Sequence, residues 1–138
     1  MKVFALITVL FIVHASPYLE TSILKNMGQS CSLFPSLSVS NFTVTPWPVT
    51  ASMNLNCNLI GTFGKDEVVQ EVIIGQHYKT AWNYRNVTVN STYAKGDIFN
   101  FSFTVQAGSE SGTYEEQVTV RQNATQNTLS CWQFSYSL

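Results

Sequence analysis

A two-sheet β-sandwich of about seven short strands is the architecture that this 138-residue sequence predicts. Three observations carry the prediction. Beyond the first fifteen residues no useful length of chain shows helical apolar spacing. Apolar and polar residues instead alternate in several places, the two-residue period of a strand with one buried face. Clusters of Gly, Asn and Asp punctuate the chain about every 10–15 residues, the turn frequency of an all-β domain. A closed barrel satisfies the same pattern, and composition does not separate the two.

The chain opens MKVFALITVLFIVHASP, where Lys2 precedes an eleven-residue apolar run, Val3 to Val13, and a small-residue site ending at Ala15. Residues 1–15 thus read as a secretory signal peptide. The run falls well short of the roughly 20 residues needed to span a bilayer. Residues 16–138 form one domain, of which 17–30 show no pattern and are expected to be an extended lead-in.

Strands are expected at about 36–45, 53–59, 67–76, 79–90, 99–105, 113–121 and 128–137. In 53–59, Met53, Leu55, Cys57 and Leu59 face one way and three asparagines the other. In 99–105, Phe99, Phe101 and Phe103 line up opposite Asn100. Val87 and Val89 face in between Asn86 and Asn90, and Trp132, Phe134 and Tyr136 lie opposite Cys131. Turns are expected at Gly61 to Gly64, Lys95 to Asp97, Gly108 to Gly112 and Asn123 to Asn127.

Sequons at Asn41, Asn86, Asn90, Asn100 and Asn123 agree with a secretory route and require those side chains to face solvent. Loss of Lys2 with the leader leaves six Lys and Arg against eight Asp and Glu, a net charge of about −2. Without a basic stripe, nucleic acid is excluded as a partner. The expected location is extracellular, lysosomal or vacuolar.

Three cysteines, Cys31, Cys57 and Cys131, allow at most one internal bridge. Cys57 lies on the apolar side of its strand and reads as a small buried hydrophobe. A Cys31–Cys131 bridge would staple the last strand to the first. The rival is an immunoglobulin-type Cys57–Cys131 bridge. That arrangement asks for a Trp soon after the first Cys and a Tyr two before the second. Here the Trp arrives 25 residues on, at Trp82, and Leu129 occupies the Tyr position.

Cys31, the Pro46-Trp47-Pro48 step, Gly112-Thr-Tyr114-Glu-Glu-Gln-Val118-Thr-Val120 and the ending Leu129-Ser-Cys131-Trp132-Gln-Phe134 together resemble the ML lipid-recognition domain family. That family includes the Niemann–Pick type C sterol carrier and the phosphatidylglycerol/phosphatidylinositol transfer proteins. The resemblance spans residues 28–138 and implies an immunoglobulin-like sandwich with an apolar slot between the sheets. It also implies the Cys31–Cys131 pairing. The chain departs from the sterol-carrier pattern in lacking short-range cysteine pairs, and Cys57 falls outside the shared pattern.

The implied function is secreted or lumenal lipid binding: one sterol or phospholipid held between the sheets, with transfer between membranes through transient membrane contact by a monomer. A chain of about sixteen methylenes costs roughly 13 kcal/mol to expose to water, so apolar walls alone ease its passage. Expected lining residues are Val72, Ile74, Trp82, Tyr84, Val87, Val89, Phe99, Phe101, Phe103, Trp132, Phe134 and Tyr136. Each of them would serve equally as ordinary core. The alternative is a lipid-recognition or adhesion module that binds a receptor without transfer.

No enzyme is expected. The single histidine beyond the leader, His77, reads as a turn or surface residue, and G-x-S-x-G is absent. A bias of His77 on lipid release in an acidic compartment is testable with His77→Gln. Without C-x-x-C spacing no metal or other cofactor is expected, and Glu115 and Glu116 alternate faces of a strand so that they do not converge.

Overall fold

A computed structural model describes residues 25–122 and 127–138. The predicted signal peptide, most of the lead-in and the Asn123 sequon lie outside the described residues. Within them the chain is all-β: β1 (Lys25–Asn26), β2 (Gln29–Ser30), β3 (Leu37–Thr45), β4 (Asn54–Phe63), β5 (Glu67–Tyr78), β6 (Ala81–Tyr93), β7 (Ile98–Gln106), β8 (Thr113–Gln122) and β9 (Asn127–Ser137). They form two antiparallel sheets, β1-β3-β4-β7 and β2-β9-β8-β5-β6. The seven expected strands correspond to β3–β9. The two short strands come from the patternless lead-in, which is secured mainly by backbone pairing to β3 and β9.

The strands form because alternation gives each sheet one apolar face. On β4, Leu55, Cys57, Leu59 and Phe63 are buried, and their neighbours Asn54 and Asn56 are exposed. Gly61 and Phe63 continue this strand, so the turn expected from Gly61 begins only at Gly64. No Cβ at Gly61 could avoid the Ser38 carbonyl and Leu37, a close approach that explains glycine inside a strand. Asn86, Asn90 and Asn100 are exposed, as sequons require, and Asn41 is half-buried just past a bulge in β3. A second bulge, where Val120 and Arg121 of β8 meet β9, turns Leu129 into the core although its spacing from Cys131 puts it on the outer face.

The two long sides of the sandwich differ. Along one, the segment from β1 to β3 passes from the first sheet to the second and back. Met27 N–H donates to the Phe42 carbonyl of the first sheet, and Cys31 N–H to the Cys131 carbonyl of the second, both at 2.9 Å. Trp132 Nε1 donates to the Met27 carbonyl at 2.8 Å. The Cys31–Cys131 disulfide, Cα–Cα 4.9 Å, lies on this side, and Cys57 is a free, buried thiol. The staple therefore joins β9 to the segment leaving β2. Along the other side, β7 and β6 are the unpaired edges of their sheets.

The core lies between. Phe42 of β3 is fully buried, with its ring 6.3 Å from Phe103, 6.3 Å from Trp132 and 5.5 Å from Phe134. The aromatic rows of β7 and β9 thus meet on one residue. Such tilted pairs add about 0.5–1.5 kcal/mol each beyond area burial.

Candidate functional site

The edge strands β6 and β7 flank a pocket of about 270 Å³, the space where the two sheets fail to close on each other. Ile74 of β5 and Val105 of β7 supply apolar wall. Gln76 and Glu116 supply polar wall from the inner face of the five-stranded sheet, and Arg85 stands at the rim on β6. Register explains the grouping. Gln76 pairs with both Asn83 and Glu116 across its two neighbours, and Ile74 pairs with Arg85 and Val118, so all share one face.

An edge strand carries unpaired backbone groups. Two of those on β7 are taken by side chains of the opposite sheet. Gln76 Nε2 donates to the Gln106 carbonyl at 3.0 Å, and Arg85 Nη2 donates to the Thr104 carbonyl. These two contacts clasp the open side.

Glu116 lies behind the clasp and is only 2% exposed. Its Oε1 accepts from Gln76 Nε2 at 2.7 Å and from the Tyr136 hydroxyl at 3.1 Å. That hydroxyl in turn accepts from Gly108 N–H at 3.2 Å. Oε2 is buried and has no hydrogen-bond partner among the described residues. Burial pushes the carboxyl up to about 7, against the opposing pull of Gln76, Tyr136 and the Arg85 charge. The Cys57 thiol, within electrostatic reach of both Glu116 and Arg85, is pushed up to about 12, chiefly by burial. Burial raises the Tyr136 hydroxyl as well.

Behind Tyr136, the rings of Tyr136, Tyr114 and Tyr78 stack at 5.3 and 4.4 Å. Gly108 lets the stack pass: a Cβ there would sit 2.0 Å from Tyr114 Cζ.

The expected lining residues divide into three groups. Val72, Ile74, Phe99, Phe134 and Tyr136 are buried in the core, and Ile74 also meets the pocket. Val87, Val89, Phe101, Phe103 and Trp132 are half-buried and pack against that core. Trp82 and Tyr84 stand apart. Pairing of Tyr84 with Gly75 and of Trp82 with His77 puts both on the outer face, where His77, Trp82 and Tyr84 stack in a row. Trp82 is not among the residues lining the pocket, whereas Tyr84 lines it at the rim. His77 is a strand residue of that outer row and not a turn residue.

Glu116 is absent from the expected set. Glu115 and Glu116 do alternate faces, but Tyr114, Glu116, Val118 and Val120 form a single inward row. That alternation is the signal that points to it. No cluster of His, Cys, Asp and Glu fit to hold a metal occurs among the described residues.

In comparisons with known proteins, no family model matches the chain, and no curated protein matches it. Among solved structures it is similar to a Niemann-Pick type C2 protein from Japanese carpenter ant. The TM-score is 0.59 at 9% identity, over 80% of this chain and 97% of that one. At that identity the likeness establishes the shared two-sheet fold.

Proposed function

We propose that this chain is a secreted or lumenal ML-type lipid-binding protein that holds one sterol or phospholipid between its sheets and transfers it between membranes. The observation that carries this reading is the asymmetry of the sandwich. One long side is laced by backbone bonds and a disulfide, and the other is held at the pocket by two side-chain clasps. Parting of β6 from β7 would lengthen the pocket toward Phe101, Phe103, Val87 and Val89, the half-buried apolar residues of those strands. The fold shared with a Niemann-Pick type C2 protein supports the same reading. Binding and release need no covalent step. The disulfide is consistent with the oxidising secretory route. A monomer making transient membrane contact suffices.

One observation favours a second reading, an adhesion or receptor-binding module without transfer. Much of the interior is filled, and a pocket of 270 Å³ falls below the roughly 300–1,000 Å³ usual for ligand sites. Lipid extraction and mass spectrometry on protein purified from a eukaryotic secretory host without detergent decides between them. A near-stoichiometric sterol or phospholipid supports the carrier. Empty protein that also takes up neither fluorescent sterol nor fluorescent phospholipid supports the module.

A further inference from the structure

We propose that Glu116 anchors the hydroxyl group of a small apolar alcohol seated in the pocket between β6 and β7. The inference rests on the reading of the chain as a carrier of apolar ligands and names the chemistry its pocket selects.

A buried polar atom left without a partner is rare and calls for a specific explanation. Glu116 Oε1 already accepts from Gln76 and Tyr136, whereas Oε2 has no partner among the described residues. Glu116 is also a wall of the pocket. Oε2 is sealed from water-sized groups in the closed fold, so a ligand entering from the β6–β7 side reaches it once the Gln76 and Arg85 clasps part.

The surroundings select that group. The charges and dipoles facing Glu116 come from Gln76 on β5, Arg85 on β6, the Gln106 carbonyl on β7 and Tyr136 on β9, with the Cys57 thiol of β4 within electrostatic reach. An ammonium head would meet Arg85, a like charge at the entrance. A phosphate or carboxylate head would meet the ionised form of Glu116. A hydroxyl suits both protonation states: it donates to the carboxylate, and it accepts from the carboxylic acid. Because burial brings Glu116 to about 7, both states occur near neutral pH.

Size sets the probe. At about 30 Å³ per water-sized group, 270 Å³ holds about nine non-hydrogen atoms. An eight-carbon alcohol matches, with its chain against Ile74 and Val105.

The test compares 1-octanol with heptyl methyl ether, which has the same number of non-hydrogen atoms but no O–H. Both are titrated calorimetrically into the purified secreted protein at pH 8 and pH 5. At pH 8 the ether is expected to bind about tenfold more weakly or worse, because nothing on it donates to the carboxylate. At pH 5 the gap closes, since protonated Glu116 donates to either oxygen. A Glu116→Leu variant is expected to bind the two equally at both pH values. Should that variant fail to fold, the two wild-type ratios still decide.

Equal binding of alcohol and ether at both pH values overturns the anchor and leaves the carrier reading standing. A preference for the alcohol that ignores pH assigns the hydroxyl to another residue and also overturns it. Binding of neither probe by a protein that carries co-purified lipid overturns the anchor alone. Binding of neither by a protein without lipid removes both readings.

Discussion

Replacing Glu116 by Gln should abolish the pH dependence that this carboxyl imposes on folding. In the unfolded chain the group titrates near the ordinary carboxyl value of 4.5, and in the fold burial brings it to about 7. A pKa raised on folding means that the folded state prefers the protonated form. The stabilisation from that preference is full below about pH 4.5 and is lost as pH rises through about 7. At about 1.4 kcal/mol per unit, complete ionisation removes about 3 kcal/mol, of which roughly 2.5 kcal/mol falls between pH 5 and pH 8. Glu116→Gln keeps the shape and an acceptor for Gln76 and Tyr136, but it cannot ionise. Urea unfolding at the two pH values should therefore show the variant within about 1 kcal/mol of wild type at pH 5. At pH 8 it should be more stable by about 2–3 kcal/mol, a rise in midpoint of about 1–2 M. The comparison cancels every other titrating group. Equal differences at both pH values, or a wild-type advantage that grows with pH, would refute the burial argument.

The other predictions concern packing and the cysteines. Phe42→Ala removes the ring that joins the β7 and β9 aromatic rows. It should cost about 3–5 kcal/mol in urea unfolding, and a loss below 1 kcal/mol would mean that the two rows pack independently. Cys31→Ser opens a bridge between residues 100 apart. It should cost on the order of 4 kcal/mol and reduce secretion, and peptide mapping of wild type should recover the Cys31–Cys131 pair. Cys57, with its thiol pushed up to about 12, should resist iodoacetamide at pH 8 in the folded protein and react in urea. Rapid labelling without urea would show the interior open to solvent.

How far the sequence reaches can be seen residue by residue. Alternation located β3–β9, because a half-buried strand must repeat every two residues whatever the rest of the chain does. It also put Phe99, Phe101 and Phe103 on one inward face. Bulges defeat that logic: an extra residue inverts facing from that point on, which is why Leu129 is buried on the side where its spacing from Cys131 puts solvent. Trp82 and Tyr84 escaped for another reason. They were expected among the lining residues, yet register with Gly75 and His77 places them on the outer face, where bare backbone at Gly75 makes room for the rings. Glu116 was hidden by its own charge. An ionisable residue in an apolar row is normally assigned to solvent, and only the long-range partners Gln76 and Tyr136 make its burial tolerable. The short strands β1 and β2 are held by backbone bonds to β3 and β9, which no local pattern encodes.

The lacing along β1, β2 and the disulfide gives the molecule a spine, and a spine makes compliance directional. Strain from an oversized guest cannot spread evenly over both long sides. It concentrates where the covers of the book meet, at Arg85 with Thr104, Gln76 with Gln106 and Tyr93 with Phe99. The cavity would then grow as a wedge, deep and narrow at Phe42 and wide at the β6 and β7 margins. Hydrogen exchange should register this as a gradient across each sheet. Protection would be highest in β3 and β9 and would fall toward the two margins, and filling the wedge would flatten the slope from the margin side only.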